Sequence, residues 1–96
     1  MTTIYGLRQV GGDEIRYVGR TAHALELRLK KHLQNAKRMY PPKVSAWIKS
    51  AGEIEIVPLG ECGCGCAASL ERQAVRHFAR LGHRLTNSHL LPRLAA

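Results

Sequence analysis

No apolar run in the sequence approaches the ~18 residues that a bilayer-crossing helix requires, which excludes a membrane-spanning helix. There is no internal repeat, no linker and no low-complexity tract apart from one Cys/Gly run over 62–66, so nothing divides the chain. No basic-then-apolar leader is visible. Residues 1–6 (MTTIYG) run straight into a strand-like pattern, so a cytoplasmic chain with its three cysteines reduced is expected. At 96 residues the chain is expected to form one domain over 1–96, with a single modest core. The balance of 45% hydrophobic and 23% charged residues excludes disorder.

What the sequence lacks most is acid. Fifteen Lys and Arg face seven Asp and Glu, a net charge of +8. Residues 20–49 carry eight basic side chains and one acid, Glu26. Residues 53–71 carry only Glu53, Glu55, Glu61 and Glu71, and residues 72–93 carry five arginines and no acid. Charge segregated in this way draws polyanions, nucleic acid first among them. The plainer alternative is a basic surface that only solubilises.

Thr2–Leu7 and Ile15–Gly19 are rich in β-branched and aromatic residues and read as two strands. Gly11-Gly12-Asp13 between them supplies the freedom of a hairpin turn. From Ala24 to Tyr40 the period becomes helical. With Leu25 as origin, Ala36, Leu29, Tyr40 and Leu33 fall between roughly 20° and 80°, with Met39 and His32 close by and the lysines opposite. Pro41-Pro42 ends this helix, and a second, Lys43–Ser50, stripes Val44, Trp47, Ile48 and Ala51 and stops at Gly52. Glu53–Leu59 alternates as a third strand, with Pro58 marking an edge or an ending. Ala67–Leu81 is the last strong helix, closed by Gly82, and residues 88–96 form a terminal turn of helix or a frayed tail. The predicted class is α/β, an α+β sandwich. Its small antiparallel three-stranded sheet starts from the hairpin and is flanked by helices in the order β-β-α-α-β-α.

Several polar residues stand where the pattern calls for apolar ones. On the last helix Glu71 falls at about 100° from Leu70, between Phe78 and Val75, while Arg72, Arg76 and Arg80 cluster near 200–280°. A carboxylate in an apolar arc is costly unless it pairs with an arginine or holds a cation such as Mg²⁺. Arg28 and His32, one turn apart, share a face that borders the apolar stripe. His32 is either a satisfied core histidine or a proton carrier, and Arg28 suits a bidentate phosphate contact. Tyr5 and Tyr17 alternate with apolar neighbours on the two hairpin strands, as half-buried cross-strand aromatics do. Gly19 marks a turn or a place where a ligand approaches the backbone.

With these residues in view, the chain resembles the GIY-YIG nuclease family. Thr3-Ile4-Tyr5 stands at the first signature tripeptide and Tyr17-Val18-Gly19 at the second, eleven residues (6–16) apart. Arg20-Thr21 follows. Leu25 to His32 is similar to the family's helix with an Arg and, in many members, a His four residues later. Leu70-Glu71 resembles the metal-binding glutamate, and Leu85-Thr86-Asn87 the motif with the terminal Asn. The resemblance spans residues 3–87. Thr3 replaces the usual first glycine, the spacing from Thr21 to Arg28 is one residue longer than in many members, and the cysteine run is outside the signature.

The resemblance implies hydrolysis of DNA phosphodiester bonds with one Mg²⁺ or Mn²⁺ on Glu71. Arg28 would stabilise the phosphate, and Tyr5, Tyr17 and His32 would activate water, with Tyr5 favoured as base. Asn87 would orient a tyrosine or the phosphate. Gly19, Arg20, Lys30, Lys31 and Arg76 are expected along the nucleic-acid backbone. A domain this small would draw its specificity from a second copy, a partner or substrate shape.

Cys62, Cys64 and Cys66 alternate and would face one way if extended, as ligands of zinc or iron completed by Glu61, His77 or His83. A loop of small residues leading into the last helix is the simpler reading, and a disulfide between chains a third. Two other function classes therefore compete with the nuclease: a non-catalytic basic nucleic-acid-binding module, and a small Cys-metal interaction protein.

Overall fold

A computed structural model describes residues 1–63 and 65–86. The expectations for Cys64, for Asn87 and for a terminal turn over 88–96 lie outside those residues.

The elements are β1 (Thr2–Gln9), β2 (Ile15–Thr21), α1 (Leu25–Lys37), α2 (Pro42–Ala51), β3 (Ile54–Cys62) and α3 (Ala67–Arg80), in the expected order. The three strands form one antiparallel sheet, β2-β1-β3, with β1 in the centre, so the fold is α+β. Strand alternation sorts the side chains into two cores. Tyr5 and Leu7 face α1 and α2, packing with Ala36, Val44, Trp47 and Ile48. Ile4, Ile15 and Val18 face α3, packing with Val75 and Leu85. The sheet is therefore sandwiched between a two-helix layer and a one-helix layer. No helix among the described residues is long and apolar enough to cross a membrane.

The hairpin strands each run two residues beyond the sequence reading, to Gln9 and Thr21, and three other boundaries move for local reasons. α1 stops at Lys37, because Met39 takes a left-handed φ of 56° and breaks the ladder ahead of Pro41. Tyr40 is consequently 73% exposed, and Leu33, placed in the stripe by periodicity, is 41% exposed. α2 starts on Pro42 itself, where a missing N–H costs nothing. β3 continues through Pro58 to Cys62. Tyr5 pairs with Pro58 and Ile4 with Gly60, so the register skips Leu59, and the outer position of β3 tolerates the proline.

The cysteines also depart from expectation. Cys62 and Cys66 are joined in an intrachain disulfide across the loop from β3 to α3, rather than standing as free thiols. Their Cα atoms lie 6.2 Å apart, a separation a disulfide spans. In this state neither sulfur offers a thiolate, and the metal reading of the run loses two of its three proposed ligands.

The segment after α3 is fastened to the start of β2. His83 Nδ1 accepts the Ile15 N–H at 2.7 Å, and Glu14 accepts from both the Arg84 backbone and its guanidinium. Thr86 Oγ1 donates to the Arg16 carbonyl at 2.7 Å. Among the described residues the buried Ser45 hydroxyl on α2 has no such partner. Ser45→Ala is therefore expected to stabilise the fold by about 1 kcal/mol, since it removes an unsatisfied polar atom and improves helix propensity. A urea midpoint unchanged or lowered relative to the parent chain contradicts this.

Candidate active site

The site grows out of β1. Tyr5 is fully buried and pairs across the ladder with Gly19. A Cβ built on Gly19 would lie 2.5 Å from Tyr5 Oη and 2.9 Å from Tyr17 Cε2. The glycine is needed because the Tyr5 phenol lies against its backbone. The close approach that the sequence reading gave to a ligand is made by the protein's own tyrosine.

α1 supplies the partners. Arg28 Nε donates to Tyr5 Oη at 2.9 Å, and Tyr5 Oη and His32 Nε2 share a 2.7 Å hydrogen bond. The phenol donates in the tautomer of His32 that carries its proton on Nδ1. Tyr17, half-buried, sets its ring 6.2 Å from that of Tyr5 and 5.0 Å from that of His32. Its hydroxyl interacts with both Tyr5 and Arg28. The turn from β2 into α1 is closed by Thr21, whose buried Oγ1 accepts the His23 N–H at 3.0 Å. Sequence reasoning gave Thr21 no role, and its only signal was a hydroxyl two residues before a backbone donor.

Glu71 comes from the opposite layer, beside the outer strand β2. Its side chain is 19% exposed, and Arg20 Nε stands 3.9 Å from Oε2. Burial raises the Glu71 pKa, with Arg20 and Arg72 pulling it back. Its charge is felt by both phenols. Burial pushes the Tyr5 hydroxyl well above the ordinary phenol value, Tyr17 and Glu71 add to that, and Arg28 opposes it. Tyr17 is raised in the same sense, again mainly by burial. Burial works against the Arg28 charge, yet the Tyr5 hydrogen bond and the two phenols leave its pKa raised. Burial, then the Arg28 charge, lowers His32 to about 4. A phenol this deep and this weakly acidic does not fit the role of first base that the sequence reading favoured for Tyr5.

Tyr5, Tyr17, Arg28 and His32 thus meet in one cluster, with Glu71 and Arg20 within electrostatic reach. The remaining cations do not assemble. Lys30 and Lys31 are exposed on α1, and Arg76 is exposed on α3 in the other layer. Among the described residues no group of three or more His, Cys, Asp or Glu gathers as a metal cage. Glu61 is exposed at the end of β3, His77 sets its ring edge-on to that of Phe78 with centroids 5.1 Å apart, and His83 spends its Nδ1 on the Ile15 amide.

The His32 shift predicts a pH signature in stability. The folded pKa of about 4 lies below the 6.5 of an unperturbed histidine, so the fold favours the neutral ring. That contribution is complete above pH ~6.5 and is lost as pH falls toward ~4. Urea midpoints measured across this window are expected to fall steeply for the parent chain and less for His32→Gln. Parallel curves contradict the assignment.

Compared with protein-family models, with curated proteins and with solved structures, the chain matches none.

Proposed function

We propose that the chain is a metal-dependent endonuclease of the GIY-YIG type that hydrolyses DNA phosphodiester bonds. The observation that carries this reading is the hydrogen-bonded run from Arg28 through Tyr5 to His32, a cation and a proton path joined at one phenol. A structural aromatic pair does not require either end of it.

Glu71 fits the cation that the resemblance implies. Its carboxylate is half-buried, and the nearest cationic partner at 3.9 Å is too long for a hydrogen bond. One carboxylate completed by waters suits Mg²⁺ or Mn²⁺, so Glu71 would hold the ion. Such a cation, when bound, neutralises charge developing on the phosphate and the leaving oxygen.

The chain's own residues do the rest. Arg28 is anchored through Nε, which leaves its terminal nitrogens to be shared between Tyr17 and a phosphate oxygen. Tyr17, the more accessible phenol, holds the attacking water. As the water oxygen bonds to phosphorus, its proton passes to Tyr17 Oη, the Tyr17 proton to Tyr5 Oη, and the Tyr5 proton to His32 Nε2. The bond from phosphorus to the leaving oxygen breaks, and that oxygen takes a proton from solvent. A His32 pKa of about 4 keeps the ring neutral and open as acceptor at pH 7, and makes its protonated form short-lived. Specificity is left to a second copy, a partner or the shape of the DNA, because a domain this small carries no separate reader, and a double-strand cut with one site per chain takes two chains or two visits.

The test is a panel of plasmid, hairpin, flap and junction DNAs incubated with the chain in Mg²⁺, Mn²⁺ or EDTA. Cleavage of at least one substrate that stops in EDTA is expected. DNA retention without cleavage of any substrate favours the non-catalytic module instead.

A further inference from the structure

A concavity of about 520 Å³ opens where β2 begins and α2 passes over it. Its lining brings together Arg16, Lys43 and Arg84 around Trp47 and Thr86. The register of β1 and β2 shifts between Leu7 and Arg8, whose partners are Tyr17 and Ile15, so Arg16 is the unpaired residue of a bulge. Freed from the ladder, its guanidinium lies 5.6 Å from the centre of the Trp47 ring, while Arg16 Nε donates to the Arg84 carbonyl at 2.6 Å. Arg84 is neutralised by Glu14. Arg16 and Lys43 make no ion pair among the described residues. Lys43 is exposed. The concavity is thus an open basic groove in which Arg16 lies against an indole and neither Arg16 nor Lys43 makes an ion pair among the described residues.

Its position gives it a ligand. Trp47 belongs to the same core as Tyr5, and Tyr17, next to Arg16 on β2, packs against that core, so the groove and the tyrosine cluster share one packed core. Along β2, Arg16 and Arg20 stand on either side of Tyr17 in sequence, Arg16 turned toward Trp47 and Arg20 toward Glu71. Arg16 and Arg20 are four residues apart, a span of roughly 13 Å. Resting on the nuclease reading, we infer that this groove is a second subsite that holds the phosphate backbone of the DNA strand beyond the scissile bond. Arg16 and Lys43 supply the charge. Trp47 fixes the guanidinium so that little side-chain entropy is lost on binding.

The experiment measures fluorescence anisotropy of a labelled 20-base-pair duplex in EDTA, titrated at several salt concentrations. Lys43→Ala, Lys43→Glu and the pair Lys43→Ala with Arg16→Gln are compared with the parent chain. Arg80→Glu, an exposed change of equal charge on the other layer, is the control. Lys43→Ala is expected to lower the slope of log K against log salt by about 0.9, the loss of one phosphate contact, and the double variant by about twice that. Lys43→Glu is expected to weaken binding roughly tenfold more than Arg80→Glu. Because Lys43 is exposed and unpaired, its variants leave folding intact even if Arg16→Gln does not. Slopes unchanged in the Lys43 variants, or an equal loss with Arg80→Glu, overturn the groove. The parent chain's failure to cut any DNA in Mg²⁺, with the Lys43 slope change present, overturns the hydrolase and leaves the groove standing.

Discussion

Glu71→Gln is expected to lower single-turnover DNA cleavage by roughly 1,000-fold, about 4 kcal/mol of transition-state stabilisation, while duplex binding in EDTA changes less than about threefold. The substitution keeps the shape of the side chain and removes only its charge. That charge is partly desolvated and met by Arg20 at a distance, so its loss does not strip a strong salt bridge from the fold. Burial already disfavours the ionised form, so the neutral amide is expected to hold or slightly raise the melting temperature. Lower activity with equal or higher stability separates a working carboxylate from one retained for structure. Activity within tenfold of the parent, or a collapse of the fold, is the opposite result.

Gly19→Ala is expected to cost about 1–3 kcal/mol of stability and on the order of 100-fold in cleavage. The added methyl would stand 2.7 Å from Tyr5 Cζ as well as 2.5 Å from its oxygen. A flexible side chain could swing aside, but Tyr5 is fully buried and tied to Arg28 and His32. Any shift therefore moves three functional groups together. Gly60 on β3, where a Cβ would meet nothing within 4 Å, is the matched control, and Gly60→Ala is expected to change stability by less than about 0.5 kcal/mol. Equal effects at the two glycines, read by urea midpoint and single-turnover rate, contradict the packing argument.

Much of this arrangement is legible in the residues because it follows from period and spacing. The hairpin strands, both long helices and the third strand come from alternation, from the 3.6-residue period and from glycines and prolines at the breaks. Arg28 and His32 lie one turn apart, which suffices to put them on one face, and Glu71 falls inside an apolar arc. What periodicity misjudges is where a stripe meets a neighbour. Tyr40 fits the wheel of α1, yet a left-handed Met39 ends the helix and leaves it exposed, while Leu33, inside the helix, lies at the margin of the packed stripe and is exposed too. Pro58 marks an edge or an ending, and β3 is indeed an outer strand, where a register slip lets it run on past the proline. Gly19 is legible as a special backbone position, while the group that approaches it depends on a ladder partner fourteen residues away, Tyr5. The Arg16 groove has no sequence signal, since strict alternation would send Arg16 to the face opposite Tyr17 and only the bulge turns it toward Trp47.

The account depends on Arg28, Tyr5, His32, Tyr17 and Glu71 acting as one unit on one phosphate. The most direct measurement is a double-mutant cycle, with single-turnover cleavage rates in Mg²⁺ for the parent, Arg28→Ala, Glu71→Gln and the combination. Groups that stabilise the same transition state lose their effects non-additively, so the double variant is expected to be about as slow as the slower single variant. A double variant whose loss equals the product of the two single losses, or a parent chain with no metal-dependent cleavage to measure, contradicts the account.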